Sequence, residues 1–362
     1  MKNILNTTFN TEHQSAPFDL IKTENYIPAI ELEIERTLAE IDAICNNPKA
    51  PTFENTLEVL DTSGKQLGTI TSILFNLNSA ETSSDLQEVT QKAAPLLTKL
   101  QNDIRLNQVL FDRIKTIYNQ KDTLILSSEQ QTLIEKEYKG FVRNGALLTP
   151  EQKDKLRLID TELAQLSLTF GDHVLADTHA FELLLTDENQ LQGLPETSIM
   201  QAKSLAKNKD KEGWIFTLDY PSYVPFVTYA EDRDLRKKMS LAFGKRGFQN
   251  NENNNEEIIL KIVRLKKERA NLLGYDSHAD FVLEERMAQS ASIVNQFLDD
   301  LHQNALPFAE KEWNQIEEFA NNKLNLKNLQ KWDTAFVSEK LKEELFDFDE
   351  QILKPYFPLP KV

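Results

Sequence analysis

The sequence predicts a mainly α-helical, multi-helical protein with one small β element near residues 181–219, and three observations predict it. Glycine is scarce, at 10 of 362 residues, about 3% where roughly 7% is usual; few glycines means few tight turns and few hairpins. Apolar residues recur at steps of three and four over most of the chain, the period of a helix with one buried face. Two short aromatic-containing apolar runs in the middle break that rhythm and read as strands.

The elements follow in order. Thr52 is placed to cap a helix with Glu54 in its first turn. Leu57, Leu60, Gly64, Leu67, Thr71 and Leu74 then mark one face of a single long helix, with small residues at Gly64 and Thr71 where a neighbour can approach. Pro95 interrupts the next helical stretch near its start, and Leu97, Leu100, Ile104, Ile114 and Ile117 continue it as amphipathic turns. Thr149-Pro150-Glu151-Gln152 is a stronger start signal. Thr149 can cap, Pro150 suits the first helical position, and Gln152 can reach back to complete a capping box. The stripe Leu156, Ile159, Leu163, Leu166, Phe170 follows as a buried face.

Residues 181–186 and 214–219 are the two strand candidates, too small to stand without helices against them. A helix is expected between them around 198–206. Helical periodicity resumes over 231–243. The Asn-rich run 250–255 reads as a loop. Ile258, Ile259, Ile262, Leu265 and Leu272 form a helix stopped by Gly274. Ile293, Val294, Phe297, Leu298, Leu301, Ala305, Phe308 and Ile316 form another long one, with Pro307 a possible kink. No internal repeat stands out. The strand region near 180–230 is the sole candidate boundary and is a weak one.

The formal net charge is −16. Such an acid surplus repels nucleic-acid phosphates and anionic membrane surfaces, so neither is an expected partner. A single cysteine, Cys45, allows no internal disulfide, which suits a reducing compartment. The start has no apolar secretory core, and no stretch reaches the roughly 18 apolar residues of a membrane span. A cytoplasmic location is expected.

Candidate chemistry is thin. A helical zinc motif of the H-E-x-x-H kind needs histidines at i and i+4. The histidines are His13, His173, His179, His278 and His302. The closest pair, His173 and His179, differ by six residues, which turns the second ring about 120° from the first. His173 and Asp177 have i, i+4 spacing and read either as half a metal site or as a solvated polar pair. Asp276, His278 and Asp280 follow Gly274 and read as a helix stop, an N-cap and an acidic first turn rather than a site. Lys261, Arg264, Lys266, Lys267 and Arg269 read as a solvated cationic face near a helix C-terminus, not a nucleic-acid patch. Cys45 reads as a core thiol at a helix end, and the Glu284-Glu285 pair carries little information in so acidic a chain. Neither a nucleophile elbow nor a glycine-rich phosphate loop occurs. No catalytic or metal-ligating residue is therefore assigned, and the substrate-binding residues stay unknown.

Several collinear segments nevertheless resemble the thimet oligopeptidase family of zinc metallopeptidases, most nearly bacterial peptidyl-dipeptidases (dipeptidyl carboxypeptidases). They are residues 17–30, beginning Pro17-Phe18-Asp19; residues 47–56, Asn47-Pro48-Lys49-Ala50-Pro51-Thr52-Phe53-Glu54-Asn55-Thr56; Phe141-Val142-Arg143-Asn144-Gly145-Ala146; and Leu191-Gln192-Gly193-Leu194-Pro195. The most specific spans 265–287, containing Ala270-Asn271-Leu272-Leu273-Gly274-Tyr275 and ending at Arg286-Met287. Lys331-Trp332-Asp333 and Pro355-Tyr356-Phe357-Pro358-Leu359 close the set. Two positions depart from the family pattern: His173 stands where Asn is usual, and Ala335-Phe336 where a pair of aromatics is usual.

The resemblance implies that residues 1–362 are the helical N-terminal part of a neurolysin/thimet-like metallopeptidase, forming one wall of a channel that admits short peptides. It implies zinc in the whole protein and none bound by this chain. The H-E-x-x-H helix, the glutamate ligand and the transition-state-stabilising tyrosines and histidine are expected after residue 362. The zinc-bound water and a glutamate general base would lie there. The expected function is hydrolysis of short peptides by the whole protein, with release of C-terminal dipeptides, from a monomer. This chain alone is expected to be inactive. The closing Leu359-Pro360-Lys361-Val362, without a polar tail, reads as a truncation. The alternative is a non-enzymatic helical module that binds peptides or a partner protein.

Overall fold

A computed structural model describes residues 3–348, 352–353 and 356–357. Met1, Lys2, Pro355, Pro358 and the closing 359–362 lie outside the described residues.

The order of elements begins with α1 (Tyr26–Cys45), then a π-helical turn (Phe53–Glu58) leading into α2 (Val59–Thr62), α3 (Lys65–Ala80), α4 (Ser84–Arg105), α5 (Gln108–Gln120), α6 (Ser128–Arg143) and α7 (Pro150–Ala180). Then come β1 (Leu183–Leu185), α8 (Glu196–Asn208), β2 (Trp214–Phe216), α9 (Tyr220–Tyr229), α10 (Arg233–Gly244), α11 (Glu256–Leu272), α12 (His278–Leu283), α13 (Ala291–Lys323) and α14 (Lys331–Phe346). The protein is mainly helical, and its strands pair antiparallel with Leu183 opposite Phe216, Leu184 opposite Ile215 and Leu185 opposite Trp214.

Two compact units emerge. The first comprises residues 1–169 and 258–285, the second 170–257 and 286–362. The strand pair lies inside the second unit and marks no boundary between them.

In the first unit, one apolar cluster gathers Leu5, Tyr26, Ile30, Ile70 and Leu74, and another gathers Ile41, Leu57, Phe111, Ile114, Ile134 and Phe141. Here the long helix expected from Thr52 is broken. Thr52 does cap, its hydroxyl accepting from Asn55 N at 3.3 Å while Asn55 Oδ1 accepts from Thr52 N at 2.9 Å. The chain then turns at Gly64, whose φ is +71°. A Cβ there would sit 3.2 Å from the side chain of Thr37 on α1. The small residue does mark a close helix approach, but in the left-handed conformation that ends one helix and starts the next. Pro95 sits near the middle of α4, not near its start.

The capping box at α7 is formed, with Gln152 N donating to Thr149 Oγ1 at 3.3 Å and Thr149 N to Gln152 Oε1 at 3.0 Å. Leu156 and Ile159 are buried as expected; Leu163 and Leu166 are half-buried and Phe170 is exposed. The stripe is a core face only over its first two turns.

In the second unit the strands carry Leu183, Leu185, Trp214 and Phe216 into a cluster with Ala202 of α8, Phe226 of α9 and Met239 of α10. The sequence reading missed α9. Its Tyr220-Pro221-Ser222 start resembles a strand-ending turn, yet Pro221 occupies the first helical turn, where its missing N–H costs nothing. A smaller cluster joins Ala320 of α13 to Phe336 and Val337 of α14. By contrast, the apolar stripe earlier on α13 lies in solvent: Phe297 is 63% exposed, Leu301 54% and Phe308 70%.

Candidate functional site

The residues singled out in the sequence do not converge on one site. His173 and Asp177 both lie on α7, but the pair is not solvated as its polar reading supposed: Asp177 is buried. Its carboxylate accepts from Gly247 N at 2.8 Å, Gln249 Nε2 at 3.2 Å, Asn251 Nδ2 at 3.0 Å and Asn253 Nδ2 at 2.8 Å. Burial pushes this carboxyl up, but the donors outweigh it and hold it below the usual range. His173 meets Asn255 instead, with Nδ1 at 2.9 Å from Oδ1. Asn255 Nδ2 donates to Phe170 O at 3.1 Å, so its Oδ1 faces the ring and His173 Nδ1 is the protonated nitrogen. The Asn-rich loop is thus a cage folded around one buried carboxylate. The signal was present in the run 250–255, but nothing local says which anion such a run will enclose.

Asp276, His278 and Asp280 behave as helix punctuation. Gly274 has φ +87°, Ser277 caps α12 by accepting from Asp280 N at 3.1 Å, and Ser277 Oγ donates to Asp280 Oδ2 at 2.6 Å. Burial, Lys266 and Arg269 together lower the His278 pKa. Cys45 is free and half-buried at the end of α1, and burial raises its thiol pKa. Among the described residues no group of three or more His, Cys, Asp or Glu side chains could hold a metal ion.

Two sequence readings change. Arg269 is not part of a solvated face: it is largely buried, with Nε donating to Asp160 at 2.6 Å and Nη2 to Asn144 Oδ1 at 3.2 Å. Glu284 and Glu285 are also specific. Arg143 pairs with Glu284, donates to Tyr275 OH at 3.1 Å and to Phe281 O at 2.5 Å, and its guanidinium lies 4.4 Å from the Phe281 ring centre. Lys139 pairs with Glu285, and Lys136 approaches it at 3.2 Å. Burial raises the Glu284 carboxyl, but Tyr275, Arg143 and Lys139 outweigh it and hold it below the usual range.

A pattern joins these observations. Several of the segments that carry the family resemblance are tied down by buried or half-buried arginines or aspartates, and another by a close backbone approach. Residues 47–56 are clamped by Arg113, which donates to Asn47 O at 3.1 Å, Asn55 Oδ1 at 3.0 Å and Thr56 Oγ1 at 3.3 Å. Phe141–Ala146 and the 265–285 stretch are joined through Arg143 and through Asn144 with Arg269. At 191–195, Gly193 has φ +82°, and a Cβ there would lie 2.2 Å from Tyr229 O. Trp332-Asp333 ends in a network where Asp333 accepts from Arg233 Nη2 at 2.7 Å and Arg236 Nη2 at 3.1 Å. Phe336, one of the two departures from the family pattern, lies 4.0 Å beneath the Arg236 guanidinium. These constellations are engaged largely with their own partners. They fix backbone rather than present reactive groups.

Residues 226–362 match the model of Peptidase family M3. The chain is 31% identical to Oligopeptidase A of Salmonella typhimurium over 362 residues, covering 99% of this chain and 53% of that protein. It is 33% identical to Dipeptidyl carboxypeptidase of Escherichia coli, covering 95% of this chain and 51% of the relative. Saccharolysin of Saccharomyces cerevisiae is 26% identical over 86% of the chain. The chain spans about half the length of the curated relatives it matches first. The chain as a whole is thus similar, nearly end to end, to about half of an oligopeptidase A or a dipeptidyl carboxypeptidase, and its residues 226–362 match the Peptidase family M3 model.

Proposed function

We propose that this chain is the helical, non-catalytic portion of a zinc metallopeptidase that hydrolyses short peptides, of the peptidyl-dipeptidase or oligopeptidase kind. The observation that carries the reading is the likeness to these peptidases over 99% of the chain and only 53% of the relative. A zinc peptidase site needs two imidazoles one helical turn apart, and the sequence has no histidines at that spacing. The residues present do not fit zinc: His173 is engaged by Asn255, and the Asp177 oxygens are taken by the loop donors. We assign the metal site to the remaining part of the protein, following residue 362, and the role of channel wall for short peptides to this one. The whole protein is proposed to be monomeric and cytoplasmic. In the described residues, no helix is long and apolar enough to cross a membrane.

The uncovered stripe of α13 supports a division of labour. It lies inside the stretch that matches the peptidase family, and a contiguous exposed apolar face of this kind marks an interaction surface. Its proposed occupant is the remaining half of the same protein.

The test has three readouts. Elemental analysis of the purified chain should find zinc well below one per chain. A quenched short peptide should remain uncut. Reading the gene beyond codon 362 should reveal H-E-x-x-H. Equimolar tightly held zinc, or chelator-sensitive cleavage by this chain alone, would overturn the assignment. Peptide binding seen by calorimetry, with no such motif downstream, would establish the binding-module alternative instead.

A further inference from the structure

The first unit contains an open cavity of about 440 Å³ whose lining is mostly polar. Thr98, Asn102 and Arg105 face it from α4, Asn144 from the end of α6, Asp160 from α7 and Arg269 from α11. It uses none of the residues that hold Asp177 or Asp333.

Three features distinguish it from a wet surface dent. Asn102 is only 5% exposed and lines the cavity, and no hydrogen bond from its side-chain amide to another described residue is formed. Two guanidiniums retain unused N–H groups. Arg105 donates from Nη1 to Glu137 at 2.7 Å, and Arg269 uses Nε and Nη2 on Asp160 and Asn144. The remaining donors of each have no partner among the described residues. Finally, Asp160 accepts from Arg269 Nε through Oδ1, leaving its second oxygen available.

The charged lining is therefore two guanidiniums and one carboxylate, with an amide beside them. A bare anion would use the arginines and waste Asp160; a bare cation would do the reverse. A molecule with a carboxylate and an ammonium uses both, and its amide link can meet the Asn102 side chain. The volume falls within the range of roughly 300–1,000 Å³ usual for small-molecule sites. We propose that this cavity binds a zwitterion of dipeptide size, carboxylate toward Arg105 and Arg269 and ammonium toward Asp160. The inference rests on the lining alone and does not depend on the peptidase reading.

The experiment titrates the full chain, labelled with nitrogen-15, with glycylglycine, with glycine and with N-acetylglycylglycine amide, following the Asn102 side-chain amide signal. Glycylglycine should give a saturable shift. Asn102→Leu, which keeps the branched shape and removes the amide, should weaken binding about tenfold by calorimetry, or about 1.4 kcal/mol. Thr98→Phe, which fills the cavity from its rim, serves if Asn102→Leu fails to fold, and should abolish binding as followed by calorimetry. Glycine should bind more weakly. No saturable shift with glycylglycine, or equal binding of the end-blocked peptide, would overturn the proposal. So would full displacement by inorganic phosphate, which would reassign the cavity to anions.

Discussion

The guanidinium of Arg236 and the carboxylate of Asp333 meet at 3.1 Å with neither side chain exposed to solvent. The pair joins α10 to the start of α14, and the Asp333 carboxylate also accepts from Gln330 N at 3.0 Å, so one side chain both caps a helix and anchors it. Arg236 is completed by the carbonyls of Ala230 at 2.7 Å and Glu231 at 3.0 Å. Asp333→Ala strands a buried cation, and breaking such a pair costs about 3–5 kcal/mol. Chemical denaturation should show a loss of that order. Arg233→Ala, at the half-exposed edge of the same network, should cost distinctly less.

Acid should act through two buried carboxylates, Asp333 and Asp177. Burial raises both, but their donors prevail and hold Asp333 and Asp177 below the usual carboxylate range. A depressed folded-state pKa contributes stability that is present above the unfolded value of about 3.9 and is lost as pH falls through the folded one. Unfolding free energy should therefore be level near neutrality and decline below about pH 4. Asp177→Asn should flatten the decline and lower stability at pH 7. An unchanged acid profile would show that the asparagine cage contributes nothing.

Gly213 should tolerate no side chain. Its φ is +106°, and a Cβ would stand 2.1 Å from Leu185 O on the partner strand. Gly213→Ala should destabilise by well over about 1 kcal/mol, since both the conformation and the space are wrong. Far-ultraviolet dichroism during thermal melting reads the loss directly. Gly244→Ala, where a Cβ meets nothing within 4 Å, is the control and should be neutral or stabilising.

The stripe on α13 should govern association rather than folding. Phe297, Leu301 and Phe308 are exposed, and surface substitutions of that kind change stability by about 0.5 kcal/mol or less. The chain alone should self-associate with concentration in analytical ultracentrifugation. A Phe297→Asp, Leu301→Asp double variant should melt as the parent does and remain monomeric. A monomeric parent at every concentration would refute the stripe as an adhesive face.

Much of the architecture was legible along the chain, because helices and strands are local. The Thr149–Gln152 capping box, the stop at Gly274, the N-cap and acidic first turn that follow it and the two strand runs are each decided by a few neighbouring residues, and each formed where its chemistry requires. The failures share a cause. Gly64 was read as a small residue within a helix, when Thr37 and a left-handed turn make it a break. Arg269 was read from its neighbours as solvated, when Asp160 lies 109 positions away in the chain.

The sequence by itself determined the helical class, the resemblance to a peptidase family and the want of paired histidines, because composition, periodicity and spacing are properties of the chain. Only the tertiary structure decided which polar residues are buried and by whom they are satisfied: Asp177 by an asparagine loop and Asp333 by two arginines. The reason is physical. A helix face costs the same to form whatever lies opposite, whereas the energy of a charge or an amide is set by the groups that folding brings within about 3 Å of it.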